Sequence, residues 1–279
     1  MENACVKIPK LETKNSREVF ALFAALNAMG YDDENNPKGI SLVRKRVRNT
    51  LLKNDWSRKY PQLKKATNGY HLWHLLNTVL AKSEKGVPGL SEFSKEESIQ
   101  KLWKTLKVYQ EKETKQLTPL FKKEATNLVN FIDELAPKVR KLVLIVNPLD
   151  AYWRGYGLTI NNVGYVIVGP GAADNENELI RHELLHILAS KFQVPASILD
   201  DQSLKQLTMN NYGDGNVLGR EYIVRSLSLI YQSEILGKDV SEAIKREEKD
   251  FPYIREVMKF AKAKLKSDKK ITIPAETKN

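Results

Sequence analysis

The chain has a single cysteine, Cys5, in 279 residues. One thiol cannot close an internal disulfide, so no disulfide framework supports the fold, and the composition fits a reducing compartment. Long apolar runs are missing as well. Nowhere do 18 apolar residues follow one another, so no transmembrane helix is expected. The stretch from Met1 to Ser16 carries charges and no apolar core, and does not read as a secretory signal. A cytoplasmic location is the expectation. No repeat of solenoid period is visible. Histidine is scarce: the chain holds four, at 71, 74, 182 and 186.

What is present is enough for a packed core. Hydrophobic residues make up 42% and charged residues 28%, a balance that argues against disorder. The positive charge is uneven. Residues 1–140 carry 26 Lys/Arg against 16 Asp/Glu, a net of +10, and residues 141–279 carry 19 against 18, a net of +1. Arg44, Lys45, Arg46 and Arg48 form the densest basic cluster. Such a half can bind nucleic acid, anionic lipid or acidic substrates, but no nucleic-acid motif accompanies it. A solvated, lysine-rich helical surface is the expectation, and nucleic acid is not the expected partner.

The first half reads as helices. Arg17 to Met29 places Phe20, Leu22, Phe23 and Leu26 at helical spacing, with Gly30 as a stop. Further helices are predicted over Ile40 to Lys53, Tyr70 to Lys82, Lys95 to Tyr109 and Thr118 to Leu135. The pattern changes near Pro137. Lys141 to Val146 is a continuous apolar run and a predicted strand. Tyr156 to Ile160 and Tyr165 to Val168 read as two more strands around an Asn161-Asn162 turn. Helices are then predicted over Asn175 to Phe192, Ser197 to Leu207, Val217 to Leu236 and Phe251 to Leu265. Lys266 to Asn279 is polar.

Residues 182 to 186 read His-Glu-Leu-Leu-His, an H-E-x-x-H pattern inside one of these helices. Residues four apart project from one helix face, about 40° apart around the axis. Two imidazoles so placed, His182 and His186, can share one tetrahedral Zn2+. Glu183 sits beside them, where a carboxylate can take a proton from water at the metal. Asp174 or Asn175 can cap the helix, with Glu176 and Glu178 in its first turn. Leu179, Ile180, Leu184, Leu185, Ile187 and Leu188 imply burial, and a charged Glu183 among them is costly unless something compensates it. An amphipathic helix that merely carries two histidines is the plainer alternative.

On these residues the segment from about Leu142 to Gly237 resembles the zincin metallopeptidases. The resemblance implies an α+β fold, with a helical, basic region over 1–140, a zincin-like unit over 141–265 and a polar tail over 266–279. It implies a small sheet before the zinc helix, whose edge strand holds an extended peptide; Gly164 to Val168 occupies that place. Phe192 stands where the longer metzincin pattern has its third histidine, and no histidine follows His186. That points to a carboxylate, as in gluzincins, where a Glu from a downstream helix completes the site. Glu221 is the best candidate among apolar neighbours, and Glu234 competes. The gluzincins similar to thermolysin carry an Asp four residues after this Glu; here Arg225 stands in its place. A Glu221 ligand should converge on His182 and His186 with Arg225 turned aside. The competing arrangement is a Glu221–Arg225 ion pair on the helix surface. Asp200, Asp201 and Asp214 read as caps or turns. Tyr212 is the first choice for stabilising the oxyanion, with Tyr222 and Tyr231 as rivals. His71 and His74, three apart, could hold a second metal or simply pack.

The expected function is thus zinc-dependent hydrolysis of a peptide or protein substrate. One Zn2+ is held by His182, His186 and Glu221, with Glu183 as general base. Two alternatives come from other classes. One is a non-peptidase zinc protein with a closed site; the other is a basic module for nucleic acid or anionic surfaces with a vestigial site.

Overall fold

A computed structural model describes residues 8–34, 39–69, 71–132, 139–174, 178–195, 197–199 and 215–269. The chain is a mixed helix-and-sheet protein of the α+β class. Its elements in order are β1 (Lys10–Thr13), α1 (Arg17–Ala28), α2 (Leu42–Leu51), α3 (Trp56–Lys59), α4 (Pro61–Gly69), α5 (Leu72–Leu80), α6 (Leu90–Lys95) and α7 (Glu97–Ile132). Then follow β2 (Lys141–Val146), β3 (Gly155–Ile160), β4 (Val163–Val168), α8 (Glu178–Leu188), α9 (Gly215–Glu234), α10 (Ser241–Asp250) and α11 (Ile254–Lys269). No helix among the described residues is long and apolar enough to cross a membrane.

The described residues fall into two compact units. One is drawn from Pro9–Ala125 and Lys138–Glu183, the other from Met1–Ile8, Thr126–Pro137 and Leu184–Asn279.

The first unit is built on a four-stranded sheet in the order β1-β2-β4-β3. β1 and β2 are parallel, as are β2 and β4, while β3 runs antiparallel to β4. β2 is the apolar run Lys-Leu-Val-Leu-Ile-Val, and Leu142 to Val146 are buried on both faces, as a central strand requires. The β3–β4 hairpin turns through Asn161 (φ 50°) and Asn162 (φ 61°). Two left-handed residues make the tight turn that matches strand twist, and asparagine tolerates that conformation best after glycine. Val143, Ile145, Leu158 and Ile167 share one core with helix α1, ten of whose twelve residues are buried. Ser16 caps α1 by accepting the Val19 N–H at 3.2 Å.

Several features differ from the sequence reading: helices α3, α4, α6 and α10 stand where no helix is predicted, and three further differences concern the sheet and α7. β1 is Lys-Leu-Glu-Thr, too short and polar to stand out, and it is held by backbone pairing with β2 and by Lys141 on Glu12 at 2.9 Å. Residues 97–132 form one continuous 36-residue helix rather than two. Pro119 lies inside it, and the Thr118 hydroxyl bonds the Thr114 carbonyl at 2.6 Å within the same turn. Finally, β4 is not the edge strand: it pairs with β2 on one side and β3 on the other, and β3 is the edge. The crossover from β2 carries the chain past the edge first, and the tight hairpin then returns it to the interior.

The second unit is helical. Phe131, Ile132, Leu184, Leu185, Ile187 and Leu188 are buried, as are Tyr222, Ile223, Leu227 and Tyr231 of α9 and Ile254 and Val257 of α11. Phe131 meets Tyr231 edge-on at 5.4 Å, and Tyr222 meets Phe251 at 5.1 Å. The last helix continues to Lys269, beyond the Leu265 boundary that its apolar pattern marks.

Candidate metal centre

Helix α8 forms where the sequence places it, and Leu184, Leu185, Ile187 and Leu188 fix it in the interior. That leaves His182 and His186 half-buried on the remaining face. Glu221 projects from the second turn of α9. One potential ligand atom from each of His182, His186 and Glu221 lies within 4.8 Å of the others, and this is the one such group of three among the described residues. The three side chains could hold a metal ion. His186 Nε2 and Glu221 Oε1 are 3.1 Å apart. Two ligands about 2.0–2.1 Å from one tetrahedral ion are about 3.4 Å apart, so this spacing is close to that of a shared ion. Two imidazoles and one carboxylate suit a borderline cation.

Glu221 uses both oxygens. Oε1 faces His186, and Oε2 is 3.5 Å from Arg225 Nε. Arg225 is therefore not turned aside: convergence on the histidines and the ion pair with Arg225, which the sequence sets against each other, coexist. A carboxylate can serve two partners at once because its two oxygens point apart. Arg225 also donates to Glu247 Oε2 at 2.8 Å and lies over the Phe251 ring at 4.4 Å.

Glu183 is 5% exposed. Its neighbour across the first unit is Gly155, the first residue of β3. A Cβ built on Gly155 would stand 2.6 Å from both Glu183 Cγ and Oε1, so the carboxylate arm fills the space a side chain would need. Gly155 is itself held by the loop before it. Gly169 N–H donates to Arg154 O at 2.8 Å, and Gly171 N–H to Tyr152 O at 2.8 Å. Tyr31 Oη donates to Asp150 Oδ1 at 2.8 Å, and Arg154 bonds Asp33 at 2.8 Å. Burial, above all, raises the Asp150 carboxyl above its usual range, against the pull of the Tyr31 and Ala151 donors. Tyr156 Oη is buried without a hydrogen-bond partner in good geometry, yet close enough to Asp150 for its own pKa to rise, with burial the larger cause.

A second anchor was invisible in sequence. Arg181, one residue before the motif, meets Glu124 of α7 at 3.3 Å, with side chains 3% and 5% exposed. Fifty-seven positions separate them, so no local spacing signals the pair.

Other proposed residues fall elsewhere. Glu234 pairs with Lys262 at 3.0 Å. Tyr222 is fully buried against Phe251, and burial pushes its hydroxyl up to about 12. Tyr231 is fully buried against Phe131. His71 and His74 are exposed on α5, outside the metal group. Arg44, counted in the basic cluster, is fully buried: it donates to Asn27 Oδ1 at 3.1 Å and Asp33 O at 2.6 Å and lies over Tyr31. Tyr212, Asp200, Asp201 and Asp214 lie outside the described residues. No protein-family model, curated protein or solved structure matches this chain.

Proposed function

We propose that this chain is a zinc metallopeptidase of the gluzincin type, with His182, His186 and Glu221 holding the ion and Glu183 as general base. The observation that carries the reading is the convergence of a downstream carboxylate on the two histidines of H-E-L-L-H. When bound, zinc polarises a water and the scissile carbonyl. The half-burial of all three ligand side chains supports an ion that solvent would reach, as a catalytic site needs. Glu183 accepts a proton from the attacking water on a carboxylate oxygen. It then delivers that proton to the amide nitrogen as the carbon–nitrogen bond breaks.

The peptide would lie along β3, in place of the strand that the resemblance pointed to. β3 has an unpaired backbone side among the described strands and begins at the residue touching Glu183. Tyr212 is retained as the proposed oxyanion donor.

The test is metal analysis of the purified full chain together with cleavage of a mixed fluorogenic peptide set. About one equivalent of zinc, hydrolysis lost to chelator and restored by Zn2+, and a Glu183→Gln variant that keeps zinc but loses nearly all hydrolysis are expected. Zinc without any peptide hydrolysis would favour a structural metal. No metal at all, with salt-sensitive binding to polyanions, would favour the basic-module reading.

A further inference from the structure

We propose that Arg225 is a positioning residue of the metal centre, holding Glu221 so that a single carboxylate oxygen is presented to the ion. The inference rests on the metal reading above and adds what sets the coordination. Glu221 Oε1 is 3.1 Å from His186 Nε2, while Oε2 is 3.5 Å from Arg225 Nε. An ion pair between the second oxygen and a guanidinium favours binding of the ion through the first oxygen alone. With His182, His186 and one Glu221 oxygen as the protein ligands, a zinc ion held here would have room for a water.

The arginine is placed for this. It stands four residues after Glu221, the favourable order for an acid–base pair on a helix. Its Nη1 bonds Glu247 Oε2 at 2.8 Å, and the guanidinium lies 4.4 Å over the Phe251 ring. α10 therefore supplies a charged partner, and the Phe251 ring after it a face, that together restrain the fork. Lysine would reproduce this only in part, because an ammonium lacks the planar fork that lies over a ring while reaching two carboxylates. Outer partners that orient a metal ligand commonly govern affinity by 10–100-fold.

The experiment compares Arg225→Ala, Arg225→Lys and Glu247→Gln with the parent full chain. The readouts are Zn2+ affinity by competition with a chelating dye, the visible absorption of the Co2+-loaded protein, and melting of the metal-free form. The parent should give the intense Co2+ bands of four-coordination. Arg225→Ala should bind zinc roughly 10–100-fold more weakly. Its Co2+ bands should weaken as the freed oxygen raises the coordination number. Arg225→Lys should restore part of the affinity, and Glu247→Gln should shift both readouts in the same direction by less. A purely structural arginine would lower the metal-free melting temperature and leave affinity and spectrum unchanged in the variants that fold, which overturns the proposal. If Arg225→Ala does not fold, Arg225→Lys and Glu247→Gln decide by the same readouts. A parent that binds neither Zn2+ nor Co2+ removes the metal reading itself. A parent that binds both, with variants that match it, removes only the role of Arg225.

Discussion

Gly155 has no side chain because Glu183 occupies the place where one would be. The loop ahead of Gly155 is bound to Gly169 and Gly171 by backbone hydrogen bonds of 2.8 Å, so the strand start cannot easily retreat. The carboxylate arm must therefore move if a methyl group is added. We expect Gly155→Ala to fold, at a cost of about 1–3 kcal/mol from overpacking, and to bind zinc as the parent does. Its kcat should fall by up to about 100-fold, since a displacement near 1 Å at a reacting group can cost that much. Parallel measurement of kcat, zinc affinity and denaturant midpoint checks this; an unchanged kcat would show that Glu183 does not depend on the space Gly155 leaves. The sequence could not have supplied this contact. His182, Glu183 and His186 are legible because their chemistry is local to one helical turn, and Glu221 because the histidines run out. The Glu221–Arg225 pair is legible at its helical spacing, but the neighbour of Glu183 and the second partner of Arg225 are not, because Gly155 and Glu247 are brought in by the sheet and by α10.

At the scale of elements, the H-E-L-L-H helix is tied to α7 by a buried pair, Arg181 with Glu124. Two charges taken from water need each other, and removing one leaves the other uncompensated, at about 3–5 kcal/mol. Glu124→Gln or Arg181→Met should destabilise the protein by that order in urea titration. The double change Glu124→Leu with Arg181→Met should recover most of the loss, because an apolar pair of similar volume needs no compensation. Single variants as stable as the parent would mean that the pair is solvated in solution. Periodicity found the helices with clear apolar faces, such as α1 and α9, and alternation with an Asn-Asn turn found the β3–β4 hairpin. It divided α7 at its polar middle, since a long helix need not bury every turn. It passed over β1, whose stability comes from pairing with β2 rather than from its own side chains.

Across the whole molecule, composition places a net +10 on residues 1–140, but charge is not the same as a binding face. Arg44 is consumed inside the fold by Asn27, Asp33 and Tyr31, and Lys59 and Lys10 face Glu96 and Glu12. A metal at the proposed centre would be the stronger lever on the molecule as a whole. An ion held by His182 and His186 of α8 and by Glu221 of α9 binds the folded chain and not the unfolded one. At a free concentration of about 100 times its Kd it adds about 2.7 kcal/mol of stability. For a chain of this size each kcal/mol moves the melting temperature by about 2–4 °C, so saturation should raise it by roughly 5–10 °C. Glu221→Ala should lose most of that rise while its metal-free melting stays near the parent's, since the side chain contributes mainly through the ion. Calorimetry with chelator and with buffered Zn2+ separates the two. A parent whose melting does not respond to zinc, or a Glu221→Ala variant that responds as strongly as the parent, would remove the carboxylate from the metal centre.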